Sequence, residues 1–395
     1  MYILSFKPAY IFYTLTLFLA LYYSQGVFYP EGSIISKSIL VLITIISSFF
    51  LIKSLLITSS KGIFFNLWTG LLMVNIFLFI LTGNLSDPNH FIMFKFILTG
   101  MLPFFPVFYL SSKRYIDQRH LVFFLLLFIP VDILKYFYEQ TLLLDNQEKN
   151  MTMNFSYSFV MLSPYIFFIK NKKLAYTLIL IIIYFLIDGG KRGALFTGIA
   201  GIGIYFFYQL KYGKSFLLVY RKKKFRTLNY LQALIALVLI LIVGNFILNQ
   251  NEFSSSRMQN ISDAASLLVR YDIYTSILSA WINTKSVINF LFGFGFAGSI
   301  TLTGGYFAHN DWMEILSNLG LVGLIIYAST IFSGYLLSRK IKDANVRYAL
   351  ISTLVIWFLM SLGSMYYSSV FLFKHSILLG FICGYYFSRK IKLKY

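Results

Sequence analysis

The chain is a succession of apolar runs, most of them long enough to cross a bilayer, separated by short polar breaks. A membrane helix needs roughly 20 mostly apolar residues, because the hydrocarbon layer is about 30 Å thick and an α-helix rises about 1.5 Å per residue. Without water, every backbone N–H and C=O must bond internally, and a helix achieves this within one segment. Runs of this kind predict helices at approximately 9–24, 34–52, 63–82, 91–110, 120–138, 152–169, 174–188, 193–209, 228–248, 312–337, 346–362 and 371–387. The expected fold is an all-α polytopic membrane protein, a bundle of about 12 transmembrane helices with one long external loop at 249–311. Residues 1–395 then form a single transmembrane domain. Only 12% of residues are charged, against about 25% in soluble domains. The first run follows Lys7 without a small-residue cleavage pattern, so it reads as a span, not a removed leader. Cys383 is the single cysteine, which excludes a disulfide within the chain and any CxxC metal site.

The formal charge of +20 invites a nucleic-acid role until its location is considered. If the N-terminus is cytoplasmic, alternate loops place 24 of the 34 basic residues inside, with only Asp117 and Asp343 as acids beside them. This one-sidedness is the positive-inside pattern of a membrane protein, helped by anionic lipid. Both termini are then cytoplasmic. No soluble module of interleaved basic and aromatic residues exists to bind nucleic acid. The run Arg221–Lys222–Lys223–Lys224–Phe225–Arg226 reads as an inside anchor.

Cations are scarce on the external side, so those present need reasons. Lys191 and Arg192 lie in the tight turn Asp188–Gly189–Gly190–Lys191–Arg192–Gly193 at the start of a helix. Glycines admit a close ligand and a helix N-terminus favours anions; alternatively Arg192 pairs with Asp188, four residues earlier. His309 precedes Asn310–Asp311–Trp312–Met313–Glu314. The spacing of Asp311 and Glu314 predicts a capping box with Asp311 as the N-cap. His309 then stands at the outer membrane face, either as a base or hydrogen-bond donor or as a surface histidine beside a cap. Arg270, in Leu267–Leu268–Val269–Arg270–Tyr271–Asp272, has apolar neighbours and needs a partner off its own helical face. Arg257 follows a serine run and reads as solvent-exposed. Lys37, Lys95, Lys135 and Lys374 fall in outer helix halves and are covered by snorkelling or pairing, Lys135 with Glu139 at i+4. Gly293–Phe294–Gly295–Phe296–Ala297–Gly298 matches GxGxxG literally, but no βαβ unit surrounds it, so it reads as a close-packed turn. His90, His120, His309 and His375 have no ligand-like spacing, so no metal or other cofactor is expected.

The turn Gly189–Gly190–Lys191–Arg192–Gly193, the stretch from Arg270 to Gly298, and Ala308–His309–Asn310–Asp311–Trp312 followed by Leu319–Gly320–Leu321–Val322–Gly323 resemble the O-antigen polymerase and O-antigen ligase superfamily of bacterial membrane glycosyltransferases. The specific likeness covers about 188–325; the first half is alike only in hydropathy. The turn departs from the family pattern, reading Gly–Lys–Arg–Gly where Ser is common before the Arg, so Lys191 and Arg192 share the expected role. The resemblance implies an external-face enzyme that moves glycan from a polyprenyl-pyrophosphate-linked oligosaccharide to a sugar hydroxyl. Arg192, Arg270 and Lys191 would hold pyrophosphate and His309 would be catalytic, with Arg257, Asp311, Glu314 and Tyr271 as second-tier site residues. Membrane lipid and a chain-length regulator protein are the other expected partners. Repeat-unit polymerase is the preferred activity. A ligase acting on a lipid or protein acceptor is the alternative. A lipid-linked oligosaccharide flippase is the alternative from another class, although the chain lacks two related halves and a cationic mid-membrane path.

Overall fold

The computed structural model describes residues 7–57, 61–145, 153–212 and 264–392. Regular structure among them is helical, without strands. The order is α1 (Ala9–Tyr23), α2 (Ile34–Leu55), α3 (Ile63–Thr82), α4 (Pro88–Met101), α5 (Phe104–Ser112), α6 (Gln118–Asp145), α7 (Ser156–Leu162), a 3-10 helix (Ser163–Phe168), α8 (Lys172–Asp188) and α9 (Arg192–Tyr212). After the gap come α10 (Ala264–Ile282), α11 (Val287–Phe292), α12 (Gly298–Thr303), α13 (Asp311–Lys340), α14 (Ala344–Gly363) and α15 (Leu372–Lys392).

Among the described residues, seven segments are long and apolar enough to cross a membrane: α2, α3, the α4–α5 pair, α6, α9, α13 and α14. The protein is a multi-pass membrane protein of all-α class. Two expectations are corrected. The run at 91–110 is two helices, because Pro103 has no N–H to continue the ladder and the chain turns at Leu102–Pro103. The run at 152–169 is one short α-helix followed by a 3-10 helix with Pro164 near its start, which is shorter than a usual span. The expected helix at 228–248 and Arg257 lie outside the described residues. The described part of the segment expected to be an external loop, 264–310, is itself folded: α10 packs against α11 and α12, and all three pack against α13.

Close backbone approach holds the bundle centre. α15 runs along α5, and a Cβ at Gly380 or Gly384 would come 2.4 Å from the carbonyl oxygen of Phe104 or Phe108. Small residues at such a crossing let two membrane helices touch over a long seam. Aromatic rings fill the space around it, with Trp68, Phe104, Phe108 and Trp357 all buried. Of the outer-half lysines, Lys135 bonds Glu31 at 2.7 Å and the expected Glu139 at 3.1 Å. Lys374 is wholly buried against Asp132 of α6.

The helix ends divide into two sets of contacts. At one end Arg114 donates to the Ser388 carbonyl, Gln118 and Tyr385 donate to Asp343, and Arg347 donates to Tyr212. At the other, the Met153 N–H donates to the Gly189 carbonyl and the Phe296 N–H donates to Thr82 Oγ1. Among the described residues, the first set lies beside the basic breaks at 113–119 and 339–347, and α13 connects it to the end that carries His309.

Candidate anion-binding site at one end of the bundle

The site is built on the start of α13. Asn310, not Asp311, is the N-cap: its side-chain oxygen accepts from the N–H groups of Trp312 and Met313 at 2.9 and 3.2 Å. Asn310 has the extended backbone that a cap requires. Asp311 is thereby the first helical residue and turns inward. Its buried carboxylate accepts from the Tyr327 hydroxyl and from the N–H groups of Tyr366 at 2.7 Å and Tyr367 at 3.2 Å. Glu314 is equally buried and accepts from Ser299 Oγ at 2.6 Å, the Ala308 N–H at 3.0 Å and Asn318 Nδ2 at 3.2 Å. No capping box forms. The two acids tie the α13 start to the 366–367 segment and to the 308 backbone.

These ties fix the turn that carries His309. Ala308 is held by Glu314, and Asn310 Nδ2 donates to the Leu362 carbonyl at 2.8 Å. Trp312 Nε1 donates to Ser361 Oγ at 3.0 Å, which fastens the same turn to the end of α14. Between these anchors His309 adopts the left-handed conformation, φ 50°, an uncommon state for a side-chain-bearing residue. Its ring remains solvent-accessible.

α10 brings Arg270 to this turn. Ile273 and Ile277 form a small buried cluster with Ala308, joined by Tyr274, Leu302 and Met313. Arg270 is three and four residues before Ile273 and Tyr274, so it shares their face. Tyr271, next to Arg270, is 66% exposed.

The third segment is the 189–193 turn. Gly189 is bonded through its carbonyl to the Met153 N–H at 3.1 Å. Asp188 accepts from Tyr136 Oη at 2.6 Å. Lys191 and Arg192 are half-buried, and Arg192 begins α9. A Cβ at Gly193 would lie 2.3 Å from Tyr157 Oη, so that hydroxyl sits directly over the turn. Ser364 and the charge of Arg270 both act on the Tyr157 hydroxyl.

Electrostatics join the three segments. Partial burial, followed by the positive charges of Arg270 and Lys191, pushes the His309 imidazole below its ordinary 6.5. The result is an imidazole biased to its neutral form within reach of two cationic charges, one of which, Arg270, also acts on the buried Tyr157. Such a group can bind a polyanion through the cations while the imidazole accepts a proton from a hydroxyl placed next to it.

The chain matches no protein-family model, and no curated protein matches it significantly.

Of the expected site residues, Arg270 and Lys191 are brought within electrostatic reach of His309, and Arg192 is placed at the next position along the turn. Asp311 and Glu314 brace the turn from beneath. Tyr157 and Ser364 were not anticipated: Tyr157 sits in the run at 152–169 that hydropathy reads as plain span, and Ser364 sits in the short break after the run at 346–362. The only signal in the sequence was the glycine at 193, which has to be small to admit a ring. Among the described residues, no group of three His, Cys, Asp or Glu side chains is placed to hold a metal ion.

Proposed function

We propose that this protein is a membrane glycosyltransferase that extends a polysaccharide. In this reading a polyprenyl-pyrophosphate-linked oligosaccharide is the donor, a sugar hydroxyl on a second glycan is the acceptor, and the reaction occurs at the external membrane face. The supporting observation is that the charges of Arg270 and Lys191 both act on His309, the three residues coming from separate segments at the end of α13 far from Lys340. Order and spacing of these segments are also what the sequence shares with the O-antigen polymerase and ligase superfamily.

The chemistry follows from the charges. Arg270, Lys191 and Arg192 bind the pyrophosphate oxygens; a guanidinium offers a planar fork that a phosphate accepts bidentately. His309, kept neutral by its surroundings, takes the proton of the acceptor hydroxyl. That oxygen bonds to the anomeric carbon as the carbon–oxygen bond to pyrophosphate breaks, and the polyprenyl pyrophosphate leaves with the bonding pair. Cations already in place stabilise the charge that develops on it.

The test is chain growth from purified lipid-linked donor in proteoliposomes, read together with donor affinity. Arg270→Ala should weaken donor binding and stop growth, and Arg270→Lys should restore part of it. His309→Ala should lower the transfer rate about 100-fold or more with little change in donor affinity. Normal polymer from both alanine variants would overturn the proposal.

A further inference from the structure

A second recess lies at the far end of α13 from His309, between α3, α13 and α15, with about 480 Å³ of empty space including its open mouth. Lys61 and Lys340 stand on its rim, Ser333 and Tyr386 add hydroxyls, and Phe64 and Leu337 line it with apolar surface. Lys61 donates to the Leu55 carbonyl at 2.8 Å and lies over the Phe65 ring at 5.4 Å. An ammonium has three donors, so that bond leaves two available to the recess. Among the described residues neither lysine has a carboxylate within ion-pair distance. The N-terminus of α3 opens here as well: its cap is Gly62, so no side chain accepts from the first-turn N–H groups.

We propose that this recess holds an anionic phospholipid, its phosphate between Lys61 and Lys340 and one acyl chain against Phe64 and Leu337. Position carries the assignment. The two cations stand at the ends of membrane-length helices, at the level of lipid headgroups, whereas the wall between them is apolar. A free phosphate would use the rim and leave the wall wet; a lipid satisfies both. Basic pockets between membrane helices on the side of the positive loops are suited to such headgroups. The occupancy would tie α3 to α13 and α15 through a molecule of the bilayer itself.

The experiment is native mass spectrometry of the full chain in detergent, with equal amounts of phosphatidylglycerol and phosphatidylcholine added. The protein is expected to retain phosphatidylglycerol preferentially. Lys61→Ala and Lys340→Ala should each weaken its retention by about fivefold, and Lys61→Arg with Lys340→Arg should preserve it. Lys61→Gln with Lys340→Gln, which keep length and lose charge, should lose the preference while the unfolding midpoint stays at the parent value. Equal retention of the two lipids by the parent protein, or undiminished phosphatidylglycerol on the glutamine pair, would overturn the assignment. So would displacement by excess inorganic phosphate, which would show that the rim alone is the site.

Discussion

Lys374 of α15 donates to both carboxylate oxygens of Asp132 in α6, at 2.8 and 2.5 Å, with neither side chain exposed. The ammonium also donates to Ser158 Oγ, and Tyr23 Oη is 2.9 Å from that same oxygen. One residue from Ser158 is Tyr157, whose hydroxyl lies over the 189–193 turn. The pair thus anchors α6, α7 and α15 together directly beneath the candidate site. Removing one partner strands a buried charge, which costs about 3–5 kcal/mol, whereas replacing both by apolar residues costs much less. Asp132→Leu or Lys374→Met alone should sharply lower the unfolding midpoint, and the double variant should recover most of the loss. Additive losses in the double-mutant cycle would contradict the coupling.

His309 makes a pH prediction. Its neutral form is the competent one, and partial burial with Arg270 and Lys191 holds its pKa below 6.5. Transfer should therefore persist as pH falls through 6.5 and decline only through the lowered value. Lys191→Gln removes one of the lowering charges, so the acid limb of its residual activity should move up towards 6.5. An unmoved or lowered limb would show that Lys191 does not act on the imidazole.

Glu314 holds the backbone on the near side of His309. Glu314→Ala strands the Ala308 N–H and the Ser299 and Asn318 side chains in a dry setting, at about 1–3 kcal/mol for each donor left unsatisfied. The variant should show a lower midpoint and slower transfer, while Glu314→Gln, which keeps an acceptor, should be milder on both. Equal behaviour of Glu314→Ala and the parent protein would mean the brace is idle.

The break in α13 gives the sharpest structural prediction. Gly320 has φ 62° and ψ −156° inside the helix, a region open essentially to glycine alone. A Cβ there would lie 2.5 Å from the Gly293 nitrogen, and one at Gly293 would lie 2.5 Å from the Asn318 carbonyl carbon. The Ser317 carbonyl, released by the break, accepts from the Phe294 N–H at 2.7 Å. Gly320→Ala adds backbone strain of about 1–3 kcal/mol and separates two backbones in contact. Thermal unfolding should show a loss at least this large, and Gly293→Ala should resemble it. A parent-like midpoint for both would refute the contact.

Sidedness can be tested after Cys383→Ser. A cysteine at exposed Tyr306 should react with an impermeant maleimide added outside whole cells, and one at exposed Lys340 should not. Labelling of both from the same side would overturn the orientation.

Much of the architecture was legible because hydropathy is local. Each apolar run declares itself within about twenty residues, and α1 to α9 and α13 to α15 follow such runs, whereas α10 to α12 form where a loop was expected. Breaks were harder: Pro103 and Pro164 sit in runs whose hydropathy does not fall, so backbone chemistry ends a helix that composition would continue. At the site, the unusual external cations and His309 stood out against a chain otherwise poor in charge on that side. The cap was misjudged because Asn310 and Asp311 are both good caps by residue type, and only the burial waiting for Asp311 decides between them. Partners far apart in the chain, such as Asp132 and Lys374 or Tyr157 and Arg270, leave no periodic trace. Their proximity comes from helix packing.

The bend at Gly320 also sets a depth. Leu321–Lys340 is twenty residues, or about 30 Å of helix, which alone matches the hydrocarbon thickness of a bilayer. The nine residues before the bend, which include Asp311, Glu314, Ser317 and Asn318, are therefore surplus to the crossing. They add about 13 Å of helix, with His309 two residues before its start. In the proposed reaction, helix that continues past the crossing would hold the imidazole within reach of a pyrophosphate whose lipid stays in its own leaflet.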